Sequence, residues 1–178
     1  MLKGSIAFVF LVLFSCYMGT IESHELKHLT NELEVNVPAS KVWELYRHLG
    51  ISELAAQELK NVIQSIDVLK GDGGVGTKLK LTFVGNSSYT EKFVVIDDLE
   101  RVKVAKGLEG GCLAIGCSVQ IVRFDIITKT ENSCIIKSDI AYAVKKEFEA
   151  NDPKPNIQLL AAAAQIAKRV LESQQQVV

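Results

Sequence analysis

Five segments in succession, Thr77 to Val84, Tyr89 to Ile96, Arg101 to Glu109, Ser118 to Ile127 and Ser133 to Val144, carry strand-like patterning and are separated by short polar connections. Side chains on a strand alternate between two faces, and connections this short join antiparallel neighbours, so the chain is committed to a meander. Ahead of it lies Gly71-Asp72-Gly73-Gly74-Val75-Gly76-Thr77. A Walker loop needs Gly-Lys-Ser/Thr opening a helix, and a dinucleotide fingerprint needs a helix after its glycines. Here the glycines lead into Lys78-Leu79-Lys80-Leu81-Thr82-Phe83, which alternates as a strand and offers an anion no helix N-terminus. The stretch reads as a strand-to-strand turn whose backbone bends in ways side chains would forbid.

The flanks complete the architecture. Asn31 to Val37 alternates Leu33, Val35 and Val37 against Glu32, Glu34 and Asn36, and Pro38 ends it. From Ala39-Ser40, apolar residues Val42, Trp43, Leu45, Tyr46 and Leu49 recur at spacings of three and four, the signature of an amphipathic helix that Gly50 breaks. A second helix is expected from Ser52, as N-cap, to about Ile63, and a strand from Ser65 to Lys70. After Asp152-Pro153, Lys154 to Ser173 reads as a long helix with a stripe of Leu160, Ala163, Ala164, Ala167, Val170 and Leu171. The expectation is an α+β domain: a curved seven-stranded antiparallel sheet wrapped around a long C-terminal helix, with two short helices after strand 1. A sheet that curls around one helix has difficulty filling the space between them, so an internal hydrophobic cavity is expected.

With 48% hydrophobic residues among 178 and three prolines, the chain fits one packed domain, assigned to residues 24–178. A formal net charge of -1, with both signs interspersed, excludes the basic face that nucleic acid requires. Residues 1–23 contain the apolar run Ile6 to Phe14, far short of a bilayer span, and read as a signal peptide or apolar extension. The expected location is therefore the secretory pathway (endoplasmic reticulum, vacuole or extracellular), or the cytoplasm if that segment is absent, with no stable membrane insertion of the mature domain. Asn86-Ser87-Ser88 is a glycosylation sequon, relevant only to a secreted chain. Cys112, Cys117 and Cys134 have neither the spacing of a disulfide framework nor that of a zinc site, and are read as small buried apolar residues, with a Cys112 to Cys117 bridge left open. His24, His28 and His48 lack metal-ligand spacing, so no metal is expected.

Tyr89, Glu91, Phe93 and Val95 share one face of a regular strand. If that face is interior, burial raises the Glu91 pKa unless a cation is near, and Lys103 on the next strand is the nearest candidate. Directly opposed residues share a face, so Lys103 joins Glu91 only across an odd-length turn such as Asp97 to Leu99. A desolvated lysine can serve carbonyl chemistry as an acid or form a Schiff base, and a raised glutamate can accept a proton near neutrality. The other reading is a solvated cross-strand ion pair worth roughly 0.2 to 1 kcal/mol.

The glycine turn, Tyr89-Thr90-Glu91-Lys92-Phe93, Leu108-Glu109-Gly110-Gly111 and Ser133-Cys134-Ile135-Ile136-Lys137-Ser138 resemble the pathogenesis-related class 10, or birch-pollen-allergen, family of plants, and most of all its norcoclaurine synthase branch. The resemblance covers about Asn31 to Leu171. It implies a cofactor-free lyase of alkaloid biosynthesis, joining an arylethylamine to an aldehyde by Pictet-Spengler condensation. Lys103 would act as acid, Glu91 as base and Tyr89 as a pocket residue holding a phenol or carbonyl oxygen. Phe93, Val122, Leu81, Phe83, Leu160 and Ala163 would contact the ligand, a small aromatic or apolar metabolite, in a monomer or weak dimer. The alternative is a non-catalytic, defence-related carrier of apolar plant metabolites or hormones. Two departures stand out. Val122 replaces an active-site aspartate, and Cys112-Leu113-Ala114-Ile115-Gly116 replaces Tyr-Leu-Asp-Leu-Gly.

Overall fold

A computed structural model describes residues 26–175; the apolar segment within residues 1–23 lies outside them. The order is β1 (Lys27–Val35), α1 (Ala39–Tyr46), α2 (Gly50–Glu58), β2 (Ile63–Lys70), β3 (Lys78–Phe83), β4 (Ser88–Asp97), β5 (Val102–Gly110), β6 (Cys117–Thr130), β7 (Ser133–Val144) and α3 (Gln158–Gln175), with 3-10 turns at Gly111–Ile115 and Lys146–Asn151. The strands form one seven-stranded antiparallel sheet in the order β1-β7-β6-β5-β4-β3-β2. The expected α+β class, strand number and helix placement are all present.

Boundaries move for identifiable reasons. β1 starts at Lys27 rather than Asn31 because the long β7 pairs it from Lys27 opposite Tyr142 to Val35 opposite Cys134. α3 starts at Gln158, not Lys154: Lys154 precedes Pro155, whose ring disfavours a helical conformation for the residue before it. α2 starts at Gly50 with Leu49 as its N-cap and no side-chain cap, so Gly50 opens a helix rather than only ending one, and Ser52 is not the cap. The resulting tight α1–α2 corner is braced by the glycine turn, where Gly73 has φ 104° and a Cβ would stand 3.1 Å from His48 and Leu49 atoms. Thr77 closes that turn from inside, its hydroxyl accepting from Gly73 N–H at 2.9 Å.

Two apolar clusters meet beneath the sheet. One joins α1, α2 and the Ala163, Ala164 and Ala167 stripe of α3 to β1, β6 and β7; the other gathers Leu79, Phe93, Ala105, Val122 and Ile140. Cys112 and Cys117 are joined as a disulfide bracketing the first 3-10 turn, which corrects their reading as independent apolar residues; Cys134 is a buried free thiol. No described helix is long and apolar enough to cross a membrane.

Gly110 carries the sharpest steric demand. It has φ 74°, and a Cβ there would lie 1.9 Å from the Ser88 carbonyl oxygen, a backbone atom that cannot swing away. Gly110→Ala is expected to cost about 2 kcal/mol or more, read as a lowered urea midpoint at unchanged slope.

Candidate active site

The inward position of Lys103 arises from two deviations from regularity that cancel. The β4–β5 turn is not the odd-length one expected. Asp97 pairs with Val102, leaving the four residues Asp98 to Arg101 between them. In an unbroken β4 that even turn would put Lys103 on the outer face. A β-bulge between Phe93 and Val95 inserts one residue and inverts the alternation, so Ile96 turns inward and Lys103, opposite it, does too. The same bulge puts Val95 outside, 42% exposed, so it does not share the face of Tyr89, Glu91 and Phe93.

The turn is built to hold this register. Asp97 Oδ1 accepts from the backbone N–H groups of Leu99 and Glu100, and Arg101 takes φ 53°. Asp98 accepts from Trp43 Nε1 at 2.9 Å and Arg47 at 3.0 Å, tying the turn to α1.

Between sheet and α3 lies a cavity of about 400 Å³. Leu81 and Phe83 from β3, Val122 from β6, and Leu160 and Ala163 from α3 line it, joined by Ile51, Ser52 and Ala55 of α2. Five of the six expected ligand contacts are therefore on its wall. Phe93 is fully buried behind it, beneath the Lys103 ammonium, which sits 3.8 Å from the ring centroid. The polar part of the wall contains Tyr89, Glu91 and Gln120.

Glu91 and Lys103 form a desolvated pair without touching. Burial pushes the Glu91 carboxyl up to about 7, with Lys103 and then Tyr89 drawing it partly back. Burial pulls the Lys103 amine down to about 8, with Glu91 opposing. The Lys103 Nζ donates to Tyr46 O at 3.1 Å and His48 O at 2.5 Å. Those carbonyls lie at the α1 C-terminus and just beyond it, where oxygens lack intrahelical partners. Lys103 thus serves as a clasp for the α1–α2 corner and stands behind the cavity wall rather than on it. Tyr89 is buried with Gln120 and Glu91 beside its hydroxyl, and burial followed by the Glu91 charge raises its pKa. Among the described residues no group of three or more His, Cys, Asp or Glu could hold a metal ion.

Gln120 was not singled out in the sequence, although it lies two residues from Val122 on an alternating strand and so shares its face. Its buried side chain accepts from the Cys112 backbone N–H at 3.0 Å.

This fold and pocket belong to a known group: residues 25–173 match the Pathogenesis-related protein Bet v 1 family. The chain belongs to that family. Its Bet v 1 relatives include the norbelladine synthase of Narcissus pseudonarcissus, 42% identical over 127 residues that cover 69% of this chain and 78% of that protein. The S-norcoclaurine synthase of Thalictrum flavum subsp. glaucum is 32% identical over 97% of this chain and 92% of its own. S-norcoclaurine synthase 2 of Papaver somniferum is 40% identical over 126 residues, and the match spans only 54% of that longer protein. The solved Thalictrum flavum norcoclaurine synthase in complex with dopamine and hydroxybenzaldehyde superposes with a TM-score of 0.74 at 31% identity, covering 97% of this chain and 98% of the other. The chain is thus a Bet v 1 family member of the norcoclaurine synthase-like branch.

Proposed function

We propose that the protein condenses an arylethylamine with an aldehyde, using Lys103 as acid and Glu91 as base. One observation carries the reading: a carboxyl and an amine on neighbouring strands, both pulled by burial toward neutral pKa, stand beside an apolar cavity of about 400 Å³. In the reaction the amine nitrogen adds to the aldehyde carbon, and the hydroxyl of the resulting carbinolamine leaves as water when its oxygen receives a proton from Lys103, the C–O bond breaking as the nitrogen lone pair forms the C=N bond of the iminium. The ring carbon then attacks the iminium, and Glu91 removes the ring proton to restore aromaticity. Amine plus aldehyde give cyclised product plus water, and no electrons are exchanged with a cofactor. Tyr46 and His48 take two of the three ammonium N–H donors of Lys103, which leaves the third for the first proton transfer and makes the α1–α2 corner the support of the acid.

The test is product formation from a panel of arylethylamines and aldehydes, dopamine and hydroxybenzaldehyde included. Turnover well above the buffer reaction is expected, and a rate equal to buffer with every pair would overturn the reading. A second reading, a carrier of apolar metabolites, is favoured by Val122 on the wall and by the Lys103 Nζ held behind that wall on the Tyr46 and His48 carbonyls. Tight binding of apolar ligands without turnover would select it. The Cys112–Cys117 disulfide supports entry into the secretory pathway, since such bonds persist in oxidising compartments.

A further inference from the structure

The β3–β4 turn carries a motif that the cavity chemistry does not use. Asn86-Ser87-Ser88 is the only Asn-X-Ser/Thr sequence in the 178 residues. It lies at the tip of a tight hairpin: β3 ends at Phe83, β4 begins at Ser88, and Gly85, Asn86 and Ser87 between them are exposed. Phe83 N–H donates to Ser87 O at 2.9 Å, and Asn86 N–H donates to Phe83 O at 3.0 Å. Both bonds join backbone to backbone, so the turn does not consume the Asn86 side-chain amide. Asn86 takes φ 67°, a left-handed conformation that asparagine tolerates and most residues avoid. The turn also borders the cavity. Ser87 lies on the cavity wall together with Val62 and Ile115, and around this rim Val62, Ile115 and Val84 are 41%, 54% and 59% exposed.

We infer that Asn86 is a modification site and carries an N-linked oligosaccharide rooted at the rim of the cavity. An acceptor asparagine must be exposed and followed two residues on by a hydroxyl, and Asn86 with Ser88 meets both conditions. The Cys112–Cys117 bridge is an independent ground, because such bonds form and persist in the oxidising compartments of the secretory pathway where this sugar is attached. The co-reactant is a lipid diphosphate-linked oligosaccharide. The Asn86 amide nitrogen bonds C1 of its first sugar, the C1–O bond to the diphosphate breaks, and the lipid diphosphate leaves with the bonding pair. The proton lost from the nitrogen passes to solvent, and nothing is oxidised or reduced. A sugar rooted on the hairpin tip sets polar surface beside the bare apolar side chains of Val62 and Val84 without disturbing the turn. The inference rests on the secretory entry proposed above and is independent of the condensation chemistry.

The test is expression of the full chain in plant leaf tissue, with two readouts from one purified sample: the state of Cys112 and Cys117, and the mass of the tryptic peptide 81–92 before and after peptide-N-glycosidase A. That enzyme turns a glycosylated asparagine into aspartate. The expected result is a bridged cysteine pair, a sugar-bearing peptide, and Asp at position 86 in the enzyme-treated sample alone. On a gel the wild-type chain should run slower than the enzyme-treated one. Asn86→Gln and Ser88→Ala should each abolish that shift, whereas Ser87→Ala, which changes only the middle residue of the motif, should keep it. A bridged chain with Asn86 unmodified would overturn the site while leaving secretory entry standing. Free thiols at both cysteines together with an unmodified Asn86 would overturn the site and secretory entry alike. A shift that survives in Asn86→Gln would place the sugar on another residue and overturn the assignment.

Discussion

Lys103→Met is expected to bring turnover down by at least about a hundredfold, the lower range for loss of a positioned proton donor, while apolar ligand affinity changes only a few-fold. Its effect on stability decides between two roles for the same ammonium. Removing it strands the Tyr46 and His48 carbonyls, at about 1 to 3 kcal/mol each if they stay dry. It also removes the cost of holding a buried cation whose pKa is pulled down to about 8. These oppose each other, so the net change is expected within about 2 kcal/mol, a shift of several degrees in Tm. Loss of activity with a cooperative, near-normal melt supports Lys103 as acid. A variant that melts far lower and has lost ligand binding as well would mark Lys103 as a clasp of the α1–α2 corner alone.

Glu91→Gln is expected to separate activity from stability in opposite directions. Turnover should fall about 10² to 10⁴-fold through loss of the proton acceptor. Stability should rise at pH 8, because the folded state holds this carboxyl at about 7 against an ordinary value of 4.5. The sign follows from proton counting. Below the ordinary value both states bind the proton and the penalty is absent; between the two values the folded chain keeps a proton that the unfolded chain has lost, so stability falls as pH rises. Above about 7 the penalty is complete, on the order of 3 kcal/mol, and flat. Urea midpoints across pH 4 to 8 should show that decline in the wild type and a flatter profile in the variant. Parallel profiles would mean that Glu91 is ionised and compensated when folded, and the base assignment would lose its physical ground. A residue whose removal stabilises the fold while disabling it is the expected signature of a functional group kept at a stability cost.

Much of this protein was legible in its local pattern. Period-two alternation marked β1, β3 and the start of β4, strand-like segments between short polar connections marked the rest of the meander, the spacing of Val42, Trp43, Leu45 and Tyr46 marked α1, and the alanine stripe marked the buried face of α3. Leu81, Phe83, Val122, Leu160 and Ala163 line the cavity as expected because each lies on a face whose direction those periods define. Helix starts were less legible. The Pro155 constraint on Lys154 and the uncapped start at Gly50 depend on neighbouring backbone, not on the apolar period.

The sequence by itself determined that an acid, an amine and a phenol would sit on two consecutive strands. Only the tertiary structure decided that they face the same interior. Alternation is a local property that one inserted residue reverses, whereas a bulge arises from how two strands pair along their whole length. Here the four-residue turn and the bulge at Val94 each invert the face, and together they restore it. The same holds for what each group touches. The carbonyls that take the Lys103 Nζ, the amide that holds Gln120 and the bridge between Cys112 and Cys117 are set by elements meeting in space. Side-chain direction within a shared face is fixed by those long-range contacts, which residue spacing does not encode.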